Sequence, residues 1–459
     1  MLSLRKNWAN APWLLLSRED LLIELQQATD EGRDISVLRD EFDRVIALDL
    51  SDDLAQRRAE LLLDRVQSLP LSDGYGYVEP SDPAGIRTER PPSTAFPASD
   101  VPEEVLQDKI LGGWLGRCCG CLLGKPFEGR KSRQIEKFLR SQNRWPLARY
   151  ASLQAPAEIA AECGMNLSNP SLYEEGINAM VEDDDTNYTA AGLALLRQRG
   201  AAFTPEDVAA FWLSNIPVFR VCTAERAAYR NLVACIPPPT SACFRNPYRE
   251  WIGAQIRADI YGYVNPSNPV RAAEFAWRDA SISHVKNGIY GAMWVAAMIA
   301  AAFVLDDPEA VIRAGLSQVP QNSRLFEAIA GILAIRHGGA THEQALETLR
   351  KKWNEEQPHA WCHTISNASI VAAALLWGGG DFEATICLAV MPGFDTDCNG
   401  ATAGSIAGVM LGAGRLPSKW TAPLRDTLYT GVAAYPKVAI SEMARETAAL
   451  AIALRAPSA

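Results

Sequence analysis

The chain is poor in the patterns that mark the common cofactor enzymes. Its five histidines include no HExxH pair, which removes the zinc-protease signature. No GxGxxG fingerprint or GxxxxGK[ST] phosphate loop occurs, and this argues against a nucleotide-binding α/β fold. Alternating β-branched runs are almost absent, so no sheet of consequence is expected. No apolar run reaches membrane-spanning length; WVAAMIAAAFVL from Trp294 is too short and too rich in alanine. Basic residues fall short of acidic ones, 44 against 54, and a net charge of −10 makes nucleic acid an unsuitable general partner. No fixed-period repeat is present. The opening MLSLRKNWANAPWLLL starts basic, but its apolar run is too brief for a signal peptide, and the reading is a cytoplasmic protein.

What is present is helical. The 459 residues are 48% hydrophobic, enough for a large single core. Residues 18–68 place apolar positions at helical intervals among charges. Residues 69–104 are rich in Pro, Asp, Ser and Gly and read as a long connector without regular structure. From about residue 105 the chain turns Ala-, Leu- and Gly-rich, with helices expected over 105–124, 132–141, 186–200, 205–215, 284–305, 366–377, 381–390 and 400–414, among others. The organisation expected is an N-terminal helical extension and connector, 1–104, packed on a main domain, 105–459. Ten cysteines in a chain this long are not a disulfide framework. Cys118, Cys119 and Cys121 in GRCCGCLLG lack a second Cys or His pair at zinc spacing, and read as packed small hydrophobes.

Two acidic segments carry the chemistry. EDDDTNY holds Asp183, Asp184 and Asp185, and GFDTDCNG holds Asp395, Asp397 and Cys398. Each runs into a stretch of helical composition. One Asp at such a place caps orphan N–H groups and meets the positive end of the helix dipole. Capping does not require three in a row. Crowded carboxylates suit a divalent cation, and oxygen ligands favour Mg²⁺, Mn²⁺ or Ca²⁺ over zinc. Capping and metal binding account equally well for either cluster alone; the pair favours metal. A calcium EF-hand loop starting at Asp395 fails, because Ile406 stands where its bidentate Glu belongs. Glu128 sits in GCLLGKPFEGR on a Gly-Lys-Pro turn. His284 and Asn287 stand at the start of a long apolar helix, where a cap or a satisfied core residue is the plainer reading.

In order along the chain these segments resemble the ADP-ribosylglycohydrolase family. Its pattern G-D-x-x-G-x-P-x-E, T-D-D-T-Q, a Gly-rich substrate loop, a His-led helix and G-G-D-T-D-T is met by GCLLGKPFE, DDDTN, WIGAQIRAD, SHVKNG and GFDTDC. The resemblance implies an all-α, compact orthogonal multi-helix bundle holding two Mg²⁺ or Mn²⁺ ions. It would place Asp183, Asp184, Asp185 and Asp397 around one ion. Glu128, Asp395, Asp397 and Cys398 would face the other, with Asp397 bridging. Catalytic roles would fall to Glu128, Asp184, Asp185 and Asp395. Trp251, Gly253, Ala254, Gln255, His284 and Phe394 would hold the substrate. The activity implied is removal of ADP-ribose from a protein or small-molecule acceptor, through hydrolysis at the ribosyl C1. The alternatives are a dinuclear hydrolase of another N- or O-glycoside, or a non-catalytic ADP-ribose-binding module. Three departures stand out: Cys121 replaces an Asp, Asp183 a Thr, and Cys398 the last Thr. They put the substrate in question more than the chemistry. The oligomeric state is not legible.

Overall fold

Glycine at every fourth position on two distant segments sets the architecture. The computed structural model describes residues 11–92, 96 and 100–455. The helices that position the site are α1 (Arg18–Asp30), α2 (Glu103–Gly124), α3 (Asp184–Arg199), α4 (Lys286–Ala302), α5 (Thr364–Gly378), α6 (Phe382–Val390) and α7 (Thr396–Leu411). Gly112, Gly116 and Gly120 of α2 lie against Gly408, Gly404 and Gly400 of α7, so the two helices run antiparallel with their backbones touching. A methyl group at Gly116 would lie 2.1 Å from the Gly404 carbonyl oxygen, and one at Gly120 1.9 Å from that of Gly400. Only glycine permits this approach, which suits the weak Cα–H···O contacts that follow close helix packing. The register ends with Gly124 pressed on the backbone of Thr396. The C-terminus of α2 thereby meets the N-terminus of α7.

Helix α4 runs through the centre of the molecule. Trp294, Met298 and Ile299 on it are fully buried, as an all-round apolar sequence demands. This accounts for the WVAAMIAAAFVL run, and among the described residues no helix is long and apolar enough to cross a membrane. The structure is all-α, as expected; the described residues add only a two-residue strand pair, Leu428–Tyr429 with Lys437–Val438. The connector is not wholly irregular, as a short helix, Pro83–Glu89, interrupts it. Asp82 caps it and Pro83 opens it, a start signal that composition alone obscured.

The N-terminal helices have a hydrophobic cluster of their own, with Leu21, Phe42, Leu62 and Leu63 at its centre. Charge ties them to the main core. Arg249 binds Glu24 and Glu31, each at 2.7 Å and all buried. Gln27 donates to Glu250 at 2.9 Å, and Tyr248 to Asp20 at 2.6 Å. In the connector, Glu79 pairs with Arg324 at 2.8 Å and accepts from Asn287 at 2.8 Å. This network backs directly onto Trp251 and the segment after it.

Candidate metal centre

Three chain segments converge where α2 ends and α3 and α7 begin. Asp183 is the N-cap of α3, and its Oδ1 accepts the Asp185 amide at 2.9 Å. Asp395 is the N-cap of α7, yet its side chain makes no capping bond. Capping therefore explains half of one carboxylate and none of the other. The positive ends of both helices favour negative charge here.

The ligand atoms gather in two groups among the described residues. In one, oxygens of Asp183 and Asp185 and the sulfur of Cys121 lie within 4.8 Å of one another; in the other, those of Asp395, Asp397 and Cys398 do. Asp185 Oδ2 and Asp397 Oδ1 are buried with no hydrogen-bond partner among the described residues. A buried carboxylate oxygen without a donor is costly, and a hard cation would satisfy it. The oxygens therefore fit a divalent cation. The thiols fit it poorly: burial, then the neighbouring carboxylates, push the Cys121 and Cys398 thiols well above their ordinary range, and a neutral S–H is a poor ligand for a hard ion. Cys121 is not simply packing, because it faces Asp183.

Two cations already neutralise part of this charge. Lys125 Nζ lies 2.6 Å from Asp183 Oδ2, 2.7 Å from Glu128 Oε2 and 3.0 Å from Asp397 Oδ2. Arg117, fully buried on α2, pairs with Asp185 at 3.0 Å and Asp259 at 2.9 Å. It also donates to the Asp185 and Ile256 carbonyls, joining α3 to the 253–256 segment. Burial opposes the Asp183 charge, but Lys125 and the Asp185 amide outweigh it and hold that carboxyl below its usual range. Asp184 and Asp395 are pushed well above theirs, by burial first and then by Asp183 and Asp397 respectively. Glu128, whose side chain is 43% exposed, is pushed up to about 7, first by the Asp397 charge and then by burial.

Other residues hold the second acidic segment in place. Asn367 on α5 accepts from the Asp395 amide at 3.2 Å and from Asn399 at 2.8 Å. Cys362 Sγ donates to Asp395 Oδ2 at 3.1 Å. Phe394, with φ +60°, makes the turn before Asp395. Sequence reading passed over Arg117, Lys125, Cys362 and Asn367. Arg117 carried a legible signal, being a charge set inside a small-residue motif. Lys125, Asn367 and Cys362 carried none.

Of the segments expected to hold substrate, Phe394 adjoins Asp395, and the 253–256 segment is joined to Asp185 through Arg117. Gly253 packs on Glu225, where a methyl group would meet Glu225 Oε1 at 2.0 Å. Ala254 and Gln255 are fully buried, and both polar atoms of Gln255 lack partners among the described residues. His284 is buried, its Nδ1 on Ser283 at 2.8 Å and its Nε2 without a hydrogen bond among the described residues. Trp251 is engaged elsewhere: its Nε1 donates to His359 Nδ1 at 3.3 Å, within a ring cluster that includes Tyr248 and Trp361. His359 and His363, an HxxxH pair also passed over, belong to this ring cluster and not to the acidic groups.

Residues 102–455 match the family model of ADP-ribosylglycohydrolase. The chain belongs to the ADP-ribosylglycohydrolase family. Membership makes it a glycosidase-type hydrolase. A solved structure described as an ADP-ribosylglycohydrolase-related protein complex aligns at 20% identity and a TM-score of 0.45, covering 76% of this chain and 99% of that one. Among curated proteins none matches the chain.

Proposed function

We propose that the chain is a divalent-metal-dependent glycohydrolase that cleaves a ribosyl C1 linkage and releases ADP-ribose from a protein or small-molecule acceptor. The observation that carries this reading is the grouping of Asp183 with Asp185 and of Asp395 with Asp397, the contacts of Lys125 with Asp183, Glu128 and Asp397, and buried oxygens that lack donors among the described residues. Asp184, Asp185, Asp395 and Asp397 are the residues that would hold Mg²⁺ or Mn²⁺. When bound, such an ion holds ribose hydroxyls and lowers the pKa of a water. Glu128 is the most exposed carboxylate of the set, on a turn at the mouth of the cluster. It would accept the proton of the attacking water as oxocarbenium character develops at C1. Gln255 and His284 would offer the rest of the ligand buried polar atoms that make no hydrogen bond among the described residues, Gly253, Ala254 and Phe394 would shape its walls, and Trp251, bonded to His359, would back them. Arg117 acts through others, bracing Asp185 and Ile256.

The test is release of free ADP-ribose from arginine-, serine- and O-acetyl-linked conjugates, in Mg²⁺ and in EDTA. Release from one conjugate that EDTA abolishes is the expected result. Asp184→Asn and Asp395→Asn should each lower that turnover by at least about 100-fold, the range of one lost electrostatic contact in a catalytic site. Turnover intact in both variants would refute the assignment. A second reading, hydrolysis of a different glycoside at the same cluster, is favoured by Cys121, Asp183 and Cys398, which alter the charge and donors facing the ligand. It predicts Mg²⁺ binding with no affinity for ADP-ribose.

A further inference from the structure

We infer that the Lys125 ammonium occupies the place of one of the two divalent ions expected here, so that the protein takes up a single divalent cation. This rests on the metal-dependent reading above and adds the number of ions. The distances from Nζ to Asp183, Glu128 and Asp397, 2.6, 2.7 and 3.0 Å, are those of charge-assisted hydrogen bonds. Glu128 and Asp397 accept hydrogen bonds from it, and Asp183 Oδ2, which has no hydrogen-bond partner among the described residues, faces it as an ion pair. The family resemblance assigns Asp183 and Asp397 to one ion, and Glu128 and Asp397 to the other. Asp183 Oδ1 accepts the Asp185 amide, and its Oδ2 is ion-paired with Lys125. On Asp397 only Oδ2 is engaged, and Oδ1 remains without a partner.

The lysine is not a loose surface side chain that drifted inward. Its backbone caps α2, donating to the Cys121 carbonyl, and Pro126 follows it in a tight 3₁₀ turn. Gly124, its neighbour, is clamped on Thr396, which sets the stem beside Asp397. A divalent ion placed among Asp183 Oδ2, Asp397 Oδ2 and Glu128 would have to expel this ammonium, since like charges that close repel strongly at low dielectric. Lys125 and Asp183 also compensate each other: the base stands opposite the acid that replaces the family's Thr.

The experiment is to saturate the full-length protein with Mn²⁺, remove free ion, and count bound manganese by mass spectrometry and by electron paramagnetic resonance. One ion per chain with an uncoupled six-line spectrum is expected. Lys125→Ala, which frees Asp183 and Asp397, should take up a second ion and give a spin-coupled spectrum; Lys125→Met serves if the alanine variant does not fold. Two ions in the unsubstituted protein overturn the inference and leave the glycohydrolase reading standing. One ion in both proteins also overturns it, because the ammonium would not be what excludes the second. No manganese in either overturns the metal reading itself.

Discussion

At the scale of single residues, the site depends on what each buried polar atom is doing. Asp183 and Asp395 are both N-cap residues, yet only Asp183 caps, and only half of it. The two clusters were legible in the sequence because three adjacent acids exceed what a helix start requires. The order of five short motifs made the family legible as well. Lys125 was not, because a Gly-Lys-Pro turn reads as solvent-facing until the opposite segments are seen to surround it. Asn367 was not either, since nothing local marks an amide that will hold a loop from another helix. Buried histidines allow a residue-scale prediction. His363 is fully buried, and its Nδ1 caps α5 by accepting the Ile365 amide at 3.1 Å. Burial, then the charges of His359 and Arg324, hold its pKa well below the ordinary 6.5. The unfolded chain therefore binds a proton that the folded one refuses, and stability falls as pH drops below 6.5. His363→Asn keeps a good cap and removes the titration. It should start less stable at pH 7, having lost the stacking on Trp353, and gain on the unsubstituted protein by about 1.4 kcal/mol per pH unit as acid is added. Denaturant unfolding from pH 7 to 5 measures this, and parallel pH curves would count against a neutral His363.

At the scale of elements, the α2–α7 pair places the site. Its glycines occur every fourth residue on both helices, a pattern present in GGWLGRCCG and GATAGSIAG. Which helices met could not be read, because the two lie at opposite ends of the main domain. The boundaries of α2, α3 and α7 fell within a few residues of expectation, since small-residue and apolar runs define helices well. The short helix in the connector was missed where Pro, Ser and Asp dominated the composition. The pairing has a consequence for the metal centre. Gly116→Val would drive a branched side chain into the Gly404 backbone, which cannot yield as a flexible side chain does. The cost expected is about 3 kcal/mol, the upper end of overpacking. Because Gly124 and Thr396 close the same contact, Mn²⁺ affinity should fall as well, in protein that remains folded. Leu111→Val, a half-buried change on the same helix, is the control and should spare metal binding. Unaltered affinity in Gly116→Val would separate the helix contact from the site.

At the scale of the whole molecule, the question is why residues before the family match at 102 are so heavily bonded to the residues behind the candidate substrate segment. The bonds are between buried charges. Arg249 holds Glu24 and Glu31 of the N-terminal helices, and Glu250, next in sequence, takes Gln27, Asn287 and Arg324. Trp251 follows immediately. Burial pushes Glu24 up from its usual range despite Arg249, so the arginine is what keeps these acids tolerable in the interior. Removing one partner of a buried pair leaves an uncompensated charge, at a cost of about 3–5 kcal/mol. Arg249→Met should therefore destabilise the protein by that amount, whereas the triple change Glu24→Gln, Glu31→Gln, Arg249→Met should recover most of it. Removing residues 1–100 takes Glu24 and Glu31 from Arg249 and Gln27 from Glu250 and exposes the apolar surface that α1 and the connector cover, so insoluble protein is expected. If the N-terminal part were merely tethered, the truncated chain would stay soluble and monodisperse with unchanged melting. The two experiments read the same network from opposite sides: the charge swap tests its energy with all elements present, and the truncation tests whether the segment carrying Trp251 to Gln255 holds its shape without that backing.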